Sequence, residues 1–583
     1  MNAQESSKFG YNQFLLLVAG LGGLLYGVDV GIIAGALPFL EATTNYSPQQ
    51  LSTVVAAVLL GSVISSLTAG LLSDLFGRKK IMLVSALCFV ASIPIICLSE
   101  SFASLVAGRL LQGISAGLIG VVVPLYLAEC LGAGSRGKGT GMFQFLLTVG
   151  LVFAALIALY YGSQVDKMEF AGASAEELFA EKNHAWRMIF WVSILPGIAF
   201  FAGGLCVSES PRWLFRRQRY DEARAALARS SGQAAADEIM REMEENEKST
   251  EAAKAAAVAA GHSAGAGSLL QRKYVYPFIL AVVILACNQF TGINSVLAYS
   301  VKIFQQAGLA GVMGNYGDTV LKIVNCLMTV VAVVLVDRAG RKALLKMGTA
   351  GIIVGLAGAA LMFLGIEGKR RDVTSEVQAM VNSANATLTV DLGDTAVLAK
   401  LGVAAGDQTE QQLVVTYKRG DGGGTELANS KPVPLQGGRT KEPKLAIAAS
   451  KDANNKAPLT ILKAEVGARP TPVTGWLVTA CFVLFIAAFA AGPGVCVWLA
   501  LSELMPTRIR SNGMSIALLI NQGVSTTIAW IFLPVVGKFG YSTMFFIWAG
   551  FTVIYFITAA FFLPETKGKT LEEIEAHFEG KKA

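Results

Sequence analysis

Long apolar runs, separated by short charged stretches, are the main pattern of hydrophobic and polar positions along this chain. Twelve of the runs contain roughly 18 residues or more, the length that a helix needs to cross the hydrocarbon core of a bilayer. Because lipid offers the backbone no hydrogen-bond partners, runs of this length predict membrane-spanning α-helices. They lie at 13–39, 50–72, 80–98, 102–128, 140–161, 187–206, 277–304, 318–336, 343–365, 474–500, 513–536 and 542–563.

The charged stretches between the runs repeat in the two halves of the chain. Each half has a loop with an aspartate and a Gly-Arg-Lys sequence, then a glutamate followed by an arginine, then a further glutamate after its sixth span. These features are 74–79, Glu129 with Arg136, and 208–212 in the first half, and 337–342, Glu503 with Arg510, and 564–568 in the second. The repeat predicts two similar six-helix halves, an arrangement typical of membrane transporters.

Composition and charge agree with a membrane protein. Hydrophobic residues make up 53% of the 583 residues and charged residues only 15%, which is too apolar for a soluble protein of this size. Lysine and arginine concentrate in the loops that carry the repeated motifs, so we expect these loops and both termini to be cytoplasmic. This bias accounts for the net charge of +7 without a nucleic-acid partner. The eight cysteines show no metal-ligand spacing, and we predict no metal site.

The spans and loops divide the chain into five predicted units. They are an N-terminal half at 1–207, a cytoplasmic linker with short helices at 208–276, a C-terminal half at 277–366 and 471–564, an outer insert at 367–470 and a cytoplasmic tail at 565–583. The insert contains runs typical of β-strands, at 386–392, 412–418, 444–449 and 459–466. We therefore predict a small β domain between the ninth and tenth spans, with a flexible loop as the alternative.

Two charges, Asp29 and Arg109, are the only ones that we place inside the predicted spans and away from their ends. A charged residue at the bilayer centre costs about 2.5–3.5 kcal/mol or more, and an opposite charge within reach offsets part of this cost. A static ion pair is one interpretation. The other is a proton carrier, in which the aspartate alternates between the arginine and water.

Several motifs, taken as an ordered set, resemble the sugar porters of the major facilitator superfamily, which include bacterial xylose/proton symporters and facilitative glucose carriers. The motifs are 23–29, 74–79, Gly108 with Arg109, Glu129 with Arg136, 208–214, 288–294, 492–494 and 564–568. The resemblance covers all twelve spans and leaves out the insert. It implies an all-α membrane protein with twelve transmembrane helices in two pseudo-symmetric six-helix halves, the major facilitator fold.

The resemblance also implies roles for individual residues. Asp29 matches the proton-linked acid of the symporters and Arg109 its partner, whereas facilitative glucose carriers have an uncharged residue at the position of Asp29. Asp29 thus favours symport. The implied sugar contacts are Gln144, Asn288, Gln289, Asn294, Asn325, Trp498 and Asn521, to which we add the neighbouring Gln522.

Amide side chains suit a sugar site because they both donate and accept hydrogen bonds without carrying a charge. Gly292 and the segment 492–494 predict breaks in the seventh and tenth helices beside this site. Taken singly, each amide is better explained by hydrogen bonding between helices, and Trp498 alone is equally explained by packing. Asn288, Gln522 and Ala298 depart from the glutamine, tryptophan and tyrosine common in the family, so the sugar, a hexose or a pentose, stays unassigned.

Opposite charges at the cytoplasmic helix ends form a predicted gate, with loop solvation as the alternative. Pairs between the halves would close the inner side and separate when it opens, which gives alternating access. Leu75 replaces the arginine usual in the first loop motif. The gate residues are Asp74, Arg78, Glu129, Arg136, Glu209, Arg212, Asp337, Arg341, Glu503, Arg510 and Glu565.

These features predict a proton-coupled monosaccharide symporter that works as a monomer in the lipid bilayer of the plasma membrane, or of the inner membrane in a bacterium. We expect no enzymatic activity and no cofactor, with protons as the coupling ion. A facilitative uniporter with a structural Asp29–Arg109 pair and a non-transporting sugar receptor stay open. An ATP-driven pump is disfavoured because 132–139 lacks the final Ser/Thr and the strand–helix context of a phosphate-binding loop.

Overall fold

The computed structural model describes most of the chain. The described residues are 3–44, 46–131, 136–259, 272–383, 385–403, 411–419, 426–429, 431–434, 440–447, 458–505, 509–565 and 578. Within them the chain forms helices in two groups, with a β-containing insert in the second group.

The first group of helices forms the N-terminal half and the linker. The N-terminal half consists of α1 (Ala3–Thr43), α2 (Pro48–Phe76), α3 (Arg78–Cys97), α4 (Phe102–Cys130), α5 (Arg136–Phe170), α6 (Ala175–Val192) and α7 (Ile194–Cys206). The linker consists of α8 (Pro211–Arg216), α9 (Tyr220–Ser231) and α10 (Gln233–Ala259).

The C-terminal half begins with α11 (Arg272–Phe290), α12 (Ile293–Gln306), α13 (Met313–Ala339) and α14 (Arg341–Glu367). The insert that follows contains β1 (Arg371–Asp372), α15 (Thr374–Ala379), β2 (Leu388–Asp391), α16 (Thr395–Lys400), β3 (Gln411–Arg419), β4 (Glu426–Asn429), β5 (Lys431–Pro434), β6 (Thr440–Ile447) and β7 (Leu459–Ala468). The half ends with α17 (Pro472–Ala491), α18 (Pro493–Leu504), α19 (Arg510–Ile557) and a short π-helical segment (Thr558–Phe562).

Ten helices or pairs of joined helices in the described part are long and apolar enough to cross a membrane. One of them, Ile516–Phe562, contains the non-helical Gly540 (φ 85°), which divides α19 into two segments. The helix α13 has 27 residues, a length comparable to that of the candidates. The described part thus contains a multi-helix apolar bundle, and the count of twelve spans stays a prediction.

Two predicted helix breaks are confirmed. The seventh predicted span is divided into α11 and α12, and Gly292 between them has the left-handed φ of 80° that favours glycine. The tenth is divided into α17 and α18 at Gly492 (φ −120°, ψ −90°), directly before Pro493. Each break divides one predicted span into two helices.

Helix packing follows the same scheme in both halves. The pairs α1–α5 and α3–α4 pack in the N-terminal half, and α11–α19 and α14–α17 pack in the C-terminal half. Glycines allow close approach: a Cβ on Gly27 of α1 would overlap the carbonyl of Leu147 on α5, and one on Gly113 of α4 would overlap the carbonyl of Val58 on α2. The halves meet through α1–α12, α2–α19 and α5–α13.

The insert forms two antiparallel sheets, ordered β1-β7-β3-β4 and β2-β6-β5. Its strands β2, β3, β6 and β7 overlap the four runs predicted from the sequence, whereas the helices α15 and α16 are additional. Its own hydrophobic core includes Val373, Leu388, Leu413, Leu445 and Val466. We call the bundle end that carries the insert the insert side, and the opposite end, with the loops at 76–78 and 339–341, the motif side.

Candidate functional site

The only ion pair predicted inside the spans lies in the core of the N-terminal half. Arg109 Nη1 of α4 is 4.0 Å from Asp29 Oδ1 of α1, and both side chains are only 1% exposed. In the described part of the chain neither carboxylate oxygen of Asp29 has a hydrogen-bond partner. The pair therefore attracts through charge, while the carboxylate itself is left without donors.

Arg109 is held by other groups. Its Nη1 donates to Gln112 Oε1 at 2.6 Å and its Nε donates to the carbonyl of Val54 at 3.5 Å. Its guanidinium also lies over the ring of Phe190, 5.5 Å from the centroid, within the range of a cation–π contact. Gln112 was not predicted, although an amide one helical turn after an arginine in an apolar run is a recognisable signal.

The predicted amides of the broken helix α11–α12 come together. Asn294 Nδ2 donates to Gln289 Oε1 at 3.0 Å and to Ser525 Oγ of α19 at 2.7 Å. The break at Gly292 makes this possible, because side chains five positions apart point in different directions on a regular helix. The structure thus joins α11, α12 and α19 in one polar cluster.

The other predicted sugar contacts differ in their surroundings. Asn288 and Asn521 are buried, and within the described part the Oδ1 atom of each lacks a hydrogen-bond partner. Asn325 is also buried, whereas Gln144 and Gln522 are half-buried. The side chain of Trp498 lies outside the described residues.

An aromatic stack beside Gly292 was not predicted. Tyr299 stacks on Phe532 with centroids 4.5 Å apart, and Phe532 stacks on Trp548 at 5.6 Å. A Cβ on Gly292 would overlap the indole ring of Trp548. The aromatic residues therefore pack against the helix break, and only the tertiary arrangement shows this because Tyr299 of α12 is far in sequence from Phe532 and Trp548 of α19.

The predicted gate residues of the N-terminal half form a network on the motif side. Arg78 is 2% exposed and contacts Asp74 and Glu129, each at 2.8 Å. Arg216 of the linker contacts the same two acids at 3.4 and 3.6 Å, and Ser210 donates a hydrogen bond to Glu129. These bonds join α2, α3, α4 and the linker, all on one side of the predicted division between the halves.

Glu209 and Glu565 have equivalent positions in the two halves. Glu209 accepts hydrogen bonds from the backbone N–H groups of Arg78 and Lys79 at 2.9 and 3.0 Å, and Glu565 accepts from those of Arg341 and Lys342, both at 3.2 Å. A carboxylate at a helix N-terminus satisfies unpaired N–H groups and interacts favourably with the helix dipole. Both glutamates thus cap a helix within their own half.

The remaining predicted gate residues are less informative. Arg212 is exposed. The side chains of Arg136, Asp337, Glu503 and Arg510 lie outside the described residues. The predicted pairing of gate residues between the halves therefore stays a prediction, while the described bonds of the network stabilise each half separately.

Hydrogen bonds between the halves are found on the insert side. Lys302 Nζ of α12 binds both carboxylate oxygens of Glu41 at 2.7 and 2.8 Å. The backbone N–H of Val312 donates to Asp166 at 2.9 Å, and Trp530 Nε1 donates to Thr53 Oγ1 at 3.1 Å. These contacts hold the two halves together at the insert side in this structure.

The prediction that Asp29 and Arg109 are the only charges inside the spans is wrong. Asp318 and Lys322 of α13 are 1% and 0% exposed, and Lys302 of α12 is 5% exposed. The helix α13 begins at Met313, before the apolar run that starts at 318, so both charges lie inside it. The apolar run covers only part of the helix, so these residues fell at the ends of the predicted spans.

A bundle of long apolar helices in two similar halves, with a charged pair and a polar amide cluster inside, defines a multi-pass membrane transporter. The family model described as "Sugar (and other) transporter" matches residues 15–386 and 458–578 of the chain. The chain therefore belongs to the sugar porter family of the major facilitator superfamily, and it is a transporter and not an enzyme. The unmatched segment between the two matches falls within the insert.

Individual relatives agree with this family. The chain is 27% identical to the human "Proton myo-inositol cotransporter" over 99% of this chain and 83% of the relative. It is 24% identical to the "Galactose-proton symporter" of Escherichia coli K12 over 98% of this chain and 95% of the relative. Among solved structures, the inward open form of the E. coli xylose transporter XylE covers 97% of this chain and 100% of its own, with a TM-score of 0.64 and 21% identity. This last likeness shows the fold.

Proposed function

We propose that the protein is a proton-coupled symporter that imports a monosaccharide, a hexose or a pentose, by alternating access. The observation that carries the proposal is the Asp29 carboxylate, which is buried beside Arg109 and accepts no hydrogen bond from the described residues. A buried carboxylate without hydrogen bonds is costly, and binding a proton removes its charge. Relatives named as proton symporters for galactose and arabinose support this assignment.

Arg109 has the surroundings that such a cycle needs. When Asp29 binds a proton, the attraction between the two side chains ends, and Arg109 still has Gln112, the Val54 carbonyl and the face of Phe190. These neutral acceptors and the aromatic face still bind the guanidinium when Asp29 is uncharged, which lowers the cost of the protonated state. Protonated Asp29 then permits sugar binding from outside and releases its proton inside after the halves have moved.

The polar cluster of the C-terminal half provides a site for sugar hydroxyls. Asn288 and Asn521 each present a buried oxygen that could accept from a hydroxyl group, and the pair Gln289–Asn294 supplies further donors and acceptors. Gln144 of α5 would contribute from the N-terminal half. A ligand bound by groups of both halves links its own binding to their relative position.

The proposed orientation places the motif side in the cytoplasm, with both termini, and the insert outside. The lysine and arginine residues of the motif loops support it. Exposed apolar side chains such as Leu71, Val354 and Leu361 would contact lipid. We propose the plasma membrane, or the inner membrane of a bacterium, as the location, the monomer as the working unit, and protons as the coupling ion without a further cofactor.

Internal pH in proteoliposomes tests the proposal. Pentoses, hexoses and, because of the inositol-transporting relatives, myo-inositol are added outside in turn, with no imposed gradient. We expect one or more of them to acidify the interior while the labelled compound enters. Entry at constant pH would instead identify a facilitative uniporter, and binding without entry would identify a receptor.

A further inference from the structure

A second buried ion pair, which neither the sugar site nor the proton pair uses, lies in the C-terminal half. Lys322 Nζ contacts Asp318 Oδ2 at 2.8 Å, one turn away on α13, and the two side chains are 0% and 1% exposed. Ser300 of α12 donates a hydrogen bond to the other carboxylate oxygen of Asp318 at 2.6 Å. Two helices of the same half therefore hold the pair in place.

Lys322 also bonds to the opposite half. Its Nζ donates to the carbonyl oxygen of Gly31 on α1 at 3.0 Å. Gly31 lies two residues after Asp29 on the same helix. The described bonds thus form a continuous connection from Ser300 through Asp318 and Lys322 to the helix that carries the proposed proton site.

Small residues bring α13 close enough for this bond. Asn315, two turns before Lys322, packs against Gly162 of α5, where a Cβ would lie 2.5 Å from its Nδ2 atom, and it also approaches Gly35 of α1. Glycines at these positions allow the backbone of one helix to come near the side chains of another. The contact of Lys322 with α1 is therefore part of a packed interface between the halves.

A movement of the two halves relative to each other would break one bond of Lys322 and leave the other in place. Asp318 and Ser300 belong to the same half as Lys322, so their bonds can persist when α1 moves away. Of the described bonds of Lys322, only the one to Gly31 joins the two halves. Because Asp318 continues to neutralise the ammonium group, losing this one bond does not leave an unpaired buried charge, which would be prohibitive.

We propose that Lys322 is a positioning residue of the transport cycle. Its bond to the Gly31 carbonyl holds α1, with Asp29, against the C-terminal half while the insert side is closed, and this bond breaks when that side opens. The inference rests on the proposed alternating access. The pair Asp318–Lys322 thus stabilises the state in which the insert side is closed. Removing the pair should shift the equilibrium towards the state in which the insert side is open.

Hydrogen–deuterium exchange of the full-length protein in lipid nanodiscs tests this. In K322M and D318N/K322M we expect peptides from the insert-side ends of α1 and α12 to exchange at least about threefold faster. Peptides from the motif-side ends of α2 and α14 should exchange more slowly, because that side closes. K444M is the matched control, since it removes a lysine that pairs with Asp391 at 3.3 Å on the exposed surface of the insert.

The directions of change decide the outcome. Unchanged exchange on the insert side would overturn the proposal, and so would faster exchange on both sides, which indicates a pair that only stabilises the fold. If the double variant does not fold, S300A replaces it, because it keeps the ion pair but removes the hydrogen bond from Ser300 to Asp318. We expect S300A to give a smaller change in the same directions, with faster exchange on the insert side and slower exchange on the motif side. Absence of this change would overturn the proposal. The measurement needs neither sugar nor a proton gradient, so its result is independent of whether transport is proton-coupled.

Discussion

Arg109 lies 4.0 Å from Asp29 and yet donates a hydrogen bond of 2.6 Å to Gln112. The position of the arginine is therefore maintained largely by groups other than Asp29, and the aspartate contributes mainly its charge. In a structural ion pair each partner would depend on the other for its hydrogen bonds, and this difference supports the proposed role of Asp29 in proton exchange.

The substitution D29N should separate proton coupling from sugar movement. Asparagine has nearly the same volume but cannot carry the proton, so we expect uphill accumulation to fall to a ratio of about 1 while counterflow exchange stays within about threefold of the original rate. Labelled sugar uptake into proteoliposomes with an imposed pH gradient, and counterflow without one, are the two measurements. Full uphill accumulation in D29N would contradict the proposed role of Asp29.

The matched control for D29N is D166N. Asp166 is also an aspartate near the boundary between the halves, but it accepts a hydrogen bond from the backbone N–H of Val312 and lies away from Arg109 on the insert side. We expect D166N to retain uphill accumulation. A loss in both variants would point to a general effect of removing carboxylates from this interface.

The second prediction concerns the glutamate caps of α3 and α14. Removing the carboxylate in E209A leaves the N–H groups of Arg78 and Lys79 without their acceptor, and we expect a loss of about 1–2 kcal/mol, the usual cost of removing a helix cap. E565A should behave similarly in the other half, where its bonds are slightly longer. The midpoint of thermal unfolding in detergent measures both effects.

Arg212 provides the comparison for the caps. It belongs to the same predicted gate and lies three residues from Glu209, but its side chain is exposed. We expect R212A to change stability by less than about 0.5 kcal/mol, as is usual for surface substitutions. Equal effects of R212A and E209A would mean that loop charge, and not helix capping, explains the role of Glu209.

The third prediction concerns Gly292 and the helix break at the proposed sugar site. Its φ of 80° is unfavourable for other residues, and a Cβ would overlap the Trp548 ring. We therefore expect G292A to destabilise the protein by about 1–3 kcal/mol and to weaken sugar binding, because the Trp548–Phe532 stack must shift. Thermal unfolding with and without a transported sugar measures both effects.

Gly550 is the control for Gly292. It lies in α19 close to Trp548, but nothing lies within 4 Å of the position of an added Cβ. We expect G550A to be neutral or to stabilise the protein by up to about 1 kcal/mol, because alanine favours helix more than glycine does. If G292A had an equally small effect, the connection between α11 and α12 would not need a glycine with a left-handed φ.

The helix breaks could be predicted from the sequence because the information is local. Gly292 and Gly492 stand in apolar runs beside polar or proline residues, and the left-handed φ of Gly292 is open chiefly to glycine. Asp29 and Arg109 were recognisable for a similar reason, since a charge in an apolar run is visible without any knowledge of its partner.

Other features depend on contacts between distant residues. The acceptor role of Glu209 towards Arg78 and Lys79 requires the loop at 208–210 to reach α3, and nothing in the local sequence specifies this. The pair Asp318–Lys322 was missed even though its spacing is that of facing residues on a helix, because the predicted span began at its first residue. The pairing of the insert strands is likewise non-local.

The insert makes the last prediction. Its first and last strands pair at Arg371 and Val466, so the two ends of the insert lie side by side, and its hydrophobic core is separate from that of the bundle. We expect that replacing 372–465 by a short Gly-Ser linker leaves the bundle folded and the initial rate of sugar uptake within about threefold, as for a domain that folds on its own core.

The strand β4 lies against α2 and α19, and Thr416 donates a hydrogen bond to the carbonyl of Gly537 at 3.2 Å. The full-length variant T416V, which loses only this bond, is the control. If the shortened protein folds with an unchanged thermal midpoint but no longer transports, the contacts of the insert with both halves would have to take part in opening the insert side.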